Sequence, residues 1–206
     1  MEEISSYDKT KITTFIQNFL KSEKIPKFIV NYLIELVKSN IDLIKTIEHL
    51  NIILVGPSGV GKSTLINAIL DTNIQTGFGC PQTQNIEYIS SKKIPFLRLI
   101  DSKGIEKGFN SGIERTFMNL KKFIKSQIET KKYDNFIHII WYCWTGARLE
   151  NDEVDLLTNL SKQYSLEKLP VIIVYTNAVF EEEITKARNY IKDVLKLENE
   201  FIDVLA

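Results

Sequence analysis

The sequence predicts an α/β fold, a mainly parallel sheet covered by helices on both faces, preceded by an N-terminal helical extension. Three observations carry that expectation. From Asn51 onward, short apolar runs alternate with helix-period stretches in the order β, α, β, β, α, β, α, β, α, β, and such alternation implies right-handed crossovers between parallel strands. The runs are continuously apolar, as strands buried on both faces are. One of them leads directly into a glycine-rich loop and then a helix, and ligand loops in such sheets emerge at the carboxyl ends of the strands.

The chain divides into a helical extension, residues 1–50, and an α/β domain, residues 51–206. In the extension, Ile12, Phe15, Ile16, Phe19 and Leu20 recur at helical spacing behind Asp8, a plausible N-cap. Phe28, Ile29, Tyr32, Leu33, Leu36 and Val37 continue the pattern after Pro26, and Ile41, Leu43, Ile44, Ile47 and Leu50 form a third stripe. These faces either pack on the domain that follows or offer a surface to a partner.

In the α/β domain, Ile52–Val55 is the first expected strand and Thr64–Leu70 the first helix. Asp71–Gln84, rich in glycine, proline and polar residues, is a long loop of the kind that serves function. Strand Ile86–Ser90 meets strand Pro95–Ile100 through a short turn and is expected to be antiparallel to it. A helix over 111–130 precedes the buried strand Phe136–Cys143. Helix Asp152–Tyr164, strand Pro170–Tyr175, helix Glu181–Leu197 and strand Phe201–Leu205 complete the domain.

Composition bounds the function. At 206 residues the chain holds one full domain and a small appendage; 44% hydrophobic and 25% charged residues are ordinary globular values. Formal net charge is zero, so no chain-wide basic footprint points to nucleic acid or an anionic membrane. The two cysteines, Cys80 and Cys143, are too few for a disulfide framework. No signal peptide opens the chain, and the longest apolar run is too short to span a bilayer. A reducing intracellular compartment such as the cytoplasm is expected.

The chemistry lies in Gly56-Pro-Ser-Gly-Val-Gly-Lys62-Ser63, which fits G-x-x-x-x-G-K-[ST] at every fixed position, with a strand before it and a helix after. Gly56, Gly59 and Gly61 permit backbone turns barred to other residues, so N–H groups of Ser58, Gly59, Val60, Gly61 and Thr64 can converge on an anion. The helix beginning near Lys62 adds its positive end. Lys62 suits the β- and γ-phosphates and the Ser63 hydroxyl suits Mg²⁺. The alternative, a glycine turn that binds nothing, does not account for the strand-loop-helix context. A nucleoside phosphate is the expected ligand.

Further candidates follow at other strand ends. Thr83, with Thr76 as its competitor, lies before a strand and is placed to close over Mg²⁺ and a γ-phosphate. Asp101, ending an apolar strand, suits a water-mediated Mg²⁺ contact, and Gly104 offers a backbone N–H as a γ-phosphate sensor. Thr176 and Asn177 end another strand, at the carboxyl edge where ligand loops emerge. His138 is expected to be a satisfied core histidine. Arg148 either reaches a nucleotide, in cis or across a dimer, or is a solvated loop arginine.

Residues 50–206 resemble a GTPase of the translation-factor-related P-loop class, and Gly56–Asn67 is similar to the loops of septins, immunity-related GTPases and chloroplast import receptors. The resemblance implies a three-layer, Ras-like G domain that binds GTP or GDP with Mg²⁺. Lys62, Thr83 and Gly104 would take part in catalysis and Ser63, Thr83 and Asp101 would organise the metal. Two departures stand out. The family's guanine-reading Asn-Lys-x-Asp falls on Thr176-Asn177-Ala178-Val179, with Val179 in place of the aspartate; Asn177, Glu181 or Glu182 are substitutes within reach. After Asp101-Ser-Lys-Gly104, where Ras-like members carry a water-orienting glutamine, stands Ile105. The potassium-linked asparagine of some relatives is replaced by Gly59.

The resemblance therefore implies slow, Mg²⁺-dependent hydrolysis in a molecular switch, accelerated by a homodimer or by a protein effector acting through the switch loops or N-terminal helices. The alternatives are a nucleotide-binding scaffold with little turnover, a nonspecific NTPase or a nucleotide kinase. Asp71–Tyr88 contains no arginine, against a guanylate kinase, and the chain lacks the Leu-Ser-Gly-Gly-Gln of a transporter ATPase. The chain stops at Phe201–Ala206 without the family's closing helix, as a piece of a longer protein would.

Overall fold

The computed structural model describes residues 48–73, 88–92, 94–102, 113–146, 149, 151–166, 169–197, 199 and 201–204. The expected N-terminal helices, Thr76, Thr83, Gly104, Ile105 and Arg148 lie outside these residues.

The strands are β1 (Leu50–Val55), β2 (Tyr88–Ser91), β3 (Ile94–Asp101), β4 (Ile139–Trp144), β5 (Val171–Thr176) and β6 (Phe201–Val204). They form one sheet in the order β2-β3-β1-β4-β5-β6. All neighbours are parallel except β2 and β3, whose antiparallel register shifts between Ser90 and Ser91. Every residue of β1, β4 and β5 is buried, as their uninterrupted apolar runs require.

Helices α1 (Lys62–Leu70), α2 (Ile113–Glu129), α3 (Asn151–Leu166) and α4 (Glu181–Asn189) cover the sheet. Strand side chains alternate between faces. On one face Ile53, Val55, Ile140 and Tyr142 pack with Leu120 and Ile124 of α2 and with Leu156, Leu157 and Leu160 of α3. Ile52 and Leu54 take the opposite face, and α1, which buries Leu65, Ile66 and Leu70, packs against β3. The three-layer expectation holds.

Two boundaries differ from the sequence expectation for physical reasons. Strand β4 begins at Ile139 rather than Phe136. The Asn51 side-chain amide donates to the carbonyls of Asp134 (2.7 Å) and Phe136 (2.8 Å), so those carbonyls are already engaged outside a ladder. The expected helix Glu181–Leu197 ends as α4 at Asn189 and continues as a π-turn, Tyr190–Val194, where Leu195 N–H donates to Tyr190 C=O at 3.1 Å. The wider turn keeps Ile191 buried and Tyr190 6.5 Å from the Trp144 ring, while Lys192 and Asp193 remain exposed. Leu50, read as the end of a helical stripe, is the first residue of β1.

Candidate functional site

The glycine loop leaves the carboxyl end of β1, and its shape is forced by its neighbours. Gly56 has φ +145°, and a Cβ there would stand 2.1 Å from the Cys143 carbonyl oxygen of β4. No side chain fits. Gly59 (φ +87°) and Gly61 (φ +92°) also occupy the left-handed region, and Gly61 opens α1, with Leu65 N–H donating to Gly61 C=O at 2.8 Å. Helix α1 therefore points its positive end into the loop.

The Lys62 ammonium lies within the loop, buried, donating to the carbonyls of Gly56 (2.6 Å) and Pro57 (2.8 Å). Ser63 Oγ donates to Asp101 Oδ2 at 2.7 Å. The β1–β3 register explains that meeting, because Leu54 is level with Asp101 at the strand ends. A hydroxyl and a carboxylate in contact are hard oxygen donors, which fits Mg²⁺. Ser58, Gly59 and Thr64 are exposed around this point and Val60 is buried.

At the end of β5, Thr176 is 2% exposed. Its hydroxyl lies 2.5 Å from the Val60 carbonyl oxygen and 3.2 Å from that of Trp144. Asn177 is exposed in the left-handed region (φ +58°), Val179 N–H donates to its carbonyl at 2.9 Å, and Ala178 N–H donates to Val204 C=O at 3.1 Å. Val179 and Phe180 are exposed. Glu182 is held by Lys186 at 2.6 Å, one turn along α4. Lys62, Ser63, Asp101 and Thr176 thus converge at one end of the sheet, as the sequence predicts. Pro57, Cys143 and Trp144 were not foreseen, because they contribute backbone carbonyls, which no side-chain pattern marks.

A second polar cluster occupies the other end of the sheet. Asp134 accepts from the His49 N–H (2.7 Å), from His49 Nδ1 (3.0 and 2.9 Å to its two oxygens) and from Arg98 Nη1 (3.1 Å). Burial raises the Asp134 pKa, but the His49 hydrogen bonds and the attraction of His49 and Arg98 outweigh it and hold the carboxyl below its usual range. His138 Nδ1 accepts the Asn51 N–H at 2.9 Å, so this histidine is satisfied, as expected, but it lies half-buried just before β4 rather than in the core.

Fold and loop together define a P-loop nucleotide-binding domain. The chain belongs to the family described as 50S ribosome-binding GTPase, which matches residues 51–178. Among curated proteins it is similar to Septin-10 of Mus musculus, 25% identical over 172 residues that cover 74% of this chain and 36% of the relative. Septin-10 of Rattus norvegicus is 25% identical over 156 residues, covering 66% of this chain and 34% of that protein. The chain thus spans about a third of the curated relatives it matches.

Among solved structures, an S. thermophilus NFeoB variant bound to GDP·AlF4⁻ aligns with TM-score 0.52 and 19% identity over 76% of this chain and 56% of that one. A septin GTPase domain from Chlamydomonas reinhardtii aligns with TM-score 0.48 and 19% identity, over 70% of this chain and 59% of that one. The chain carries a P-loop GTPase domain resembling septins, with the mostly parallel sheet of a Ras-like G domain. No helix among the described residues is long and apolar enough to cross a membrane.

Proposed function

We propose that the chain is a GTP-binding switch with slow, Mg²⁺-dependent hydrolysis. The observation that carries this is the buried Lys62 ammonium set inside the glycine loop, where it donates to the carbonyls of Gly56 and Pro57. Phosphate oxygens, carrying net charge, are stronger acceptors for an ammonium than carbonyls are, so exchange of partners favours nucleotide binding. Lys62 would then stabilise negative charge between the β- and γ-phosphates, helped by loop N–H groups and the α1 dipole.

Ser63 and Asp101 would hold Mg²⁺, joined by Thr83; bound there, the ion would neutralise developing phosphate charge. Gly104 would contribute its N–H beside the γ-phosphate. With Ile105 in the water-orienting position, turnover is expected to be slow until a dimer partner or an effector supplies the missing group.

Val179, exposed and apolar where the family's aspartate belongs, favours a second reading: a nucleotide site with weakened base discrimination, extending to a scaffold with little turnover. A thermal-shift panel with Mg²⁺ and GTP, GDP, ATP, ADP or GMP separates them. A ligand at 100 times its dissociation constant stabilises by about 2.7 kcal/mol. Shifts confined to GTP and GDP support the GTPase switch; equal shifts with ATP and ADP support the second reading; no shift with any nucleotide refutes both. Ser63→Asn is expected to weaken Mg²⁺-dependent nucleotide binding, and unchanged affinity would remove Ser63 from the metal site.

A further inference from the structure

The formal net charge of the chain is zero, yet α2 and the turn after it are strongly basic. From Met118 to Lys132 stand Lys121, Lys122, Lys125, Lys131 and Lys132, all exposed, against a single acid, Glu129. Met118, Lys121, Lys122, Lys125 and Ile128 recur three or four residues apart, so they share the outward face of the helix. Leu120 and Ile124 take the inward face, with Phe117 and Phe123 packed against the core beside them. On the outward face Met118 is 46% and Ile128 48% exposed.

Local helix chemistry does not account for this stripe. Like charges three and four positions apart, Lys122 with Lys125 and Lys121 with Lys125, weaken a helix. The helix dipole favours cations in its last turn, but Lys121 and Lys122 stand about two turns before the end at Glu129. Lys125 meets Glu129 at 3.9 Å, an exposed contact of little worth. An anionic surface outside the molecule would offset the repulsion, and the two apolar tips limit its kind. Nucleic acids are gripped by arginine forks and stacked aromatic rings, which this stripe does not present. A bilayer offers anionic headgroups to lysines and acyl chains to Met118 and Ile128, the pairing that lays a helix face on a membrane. Beside the stripe, the Tyr88 hydroxyl donates to Gln127 Oε1 at 2.7 Å, and its exposed ring suits the headgroup level. We propose that the outward face of α2 is a docking surface for anionic lipid bilayers. Its lysine-rich half lies toward Asp134, at the end of the sheet away from the glycine loop, where Asn135 N–H donates to Lys132 C=O at 2.9 Å.

The test is sedimentation of the full chain with phosphatidylcholine vesicles, with and without phosphatidylserine. Binding is expected only with phosphatidylserine, and is expected to weaken as salt screens it. Lys121→Gln, Lys122→Gln and Lys125→Gln together should lower it by roughly 30- to 100-fold, each lysine near an anionic surface being worth about fivefold. Ile128→Ser should lower it by about fivefold. The same charge change made at exposed lysines elsewhere, Lys162→Gln, Lys192→Gln and Lys196→Gln, should cost less than about threefold. Equal binding to both kinds of vesicle, or to neither, would overturn the docking surface. An equal loss for the control triple would overturn it too, leaving only bulk charge. An unaffected Ile128→Ser, with polyuridylate or polyglutamate bound as tightly as the vesicles, would replace the bilayer by a soluble polyanion and overturn it. Should the first triple variant fail to fold, Lys121→Gln and Lys122→Gln are read singly at about fivefold each, and undiminished binding by both overturns the surface.

Discussion

The two ends of the sheet hold polar groups of similar kinds for opposite purposes. At the carboxyl end, Lys62 rests on two backbone carbonyls and Ser63 on Asp101, partners that a phosphate chain and a cation would replace. At the amino end, Asp134 is matched by His49 and Arg98, and Asn51 by the carbonyls of Asp134 and Phe136. On the proposed reading the first set is exchangeable, whereas the second is held by groups of the chain itself, with the Asn51 side-chain oxygen buried and unpartnered. Substitutions at the first should therefore damage binding more than folding, and at the second the reverse.

The sharpest break in that contrast is Lys62→Ala. It is expected to lower GTP turnover by about 100-fold or more, as loss of a preorganised charge-stabilising group does, with little change in the unfolding midpoint without nucleotide. Turnover within tenfold of wild type would place the chemistry elsewhere. Gly56→Ala tests the boundary between the two regimes, since its Cβ would collide with the Cys143 carbonyl. It is expected to cost about 3 kcal/mol in chemical denaturation and to lose nucleotide binding with it.

At the amino end, Asn51→Leu removes two hydrogen bonds and leaves the carbonyls of Asp134 and Phe136 without that donor. A loss of about 2 kcal/mol is expected, with GTP affinity of the folded protein unchanged; a large fall in affinity would erase the contrast. The smallest effect concerns pH. Because folding lowers the Asp134 pKa, its contribution is complete above the unfolded-state value, about 4, and is lost as pH falls through the folded value. Urea midpoints measured from pH 7 down to 3 should decline less steeply for Asp134→Asn than for the wild type.

Legibility in the sequence followed the range of the forces involved. Strand β1, the glycine loop and α1 were readable because their signals are local: a β-branched run, glycines where φ is positive, then a helix-forming run. Asp101 was readable because it ends an apolar strand, although its contact with Ser63 spans 38 positions in sequence. Thr176 was readable as a strand-end candidate but its direction was not, since that depends on Val60 of the glycine loop and Trp144 at the end of β4. The start of β4 was misjudged because apolar continuity through Phe136–His138 does not reveal that Asn51 engages the backbone there. The π-turn at Tyr190 gave no signal, its charged and apolar residues fitting an ordinary helical repeat as well. Thr83 and Gly104 lie outside the described residues.

The central place of β1 also governs how the protein is made. Ile53 pairs on one side with Ile100 and on the other with Ile140, so the strand that leads into the loop lacks both neighbours until much later stretches have emerged from the ribosome. Until then its apolar edge is exposed to other nascent chains, and slow synthesis between these strands prolongs the exposure. The loop's residues are translated early, yet the wall against which Gly56 turns, the Cys143 carbonyl of β4, is made some 87 residues later.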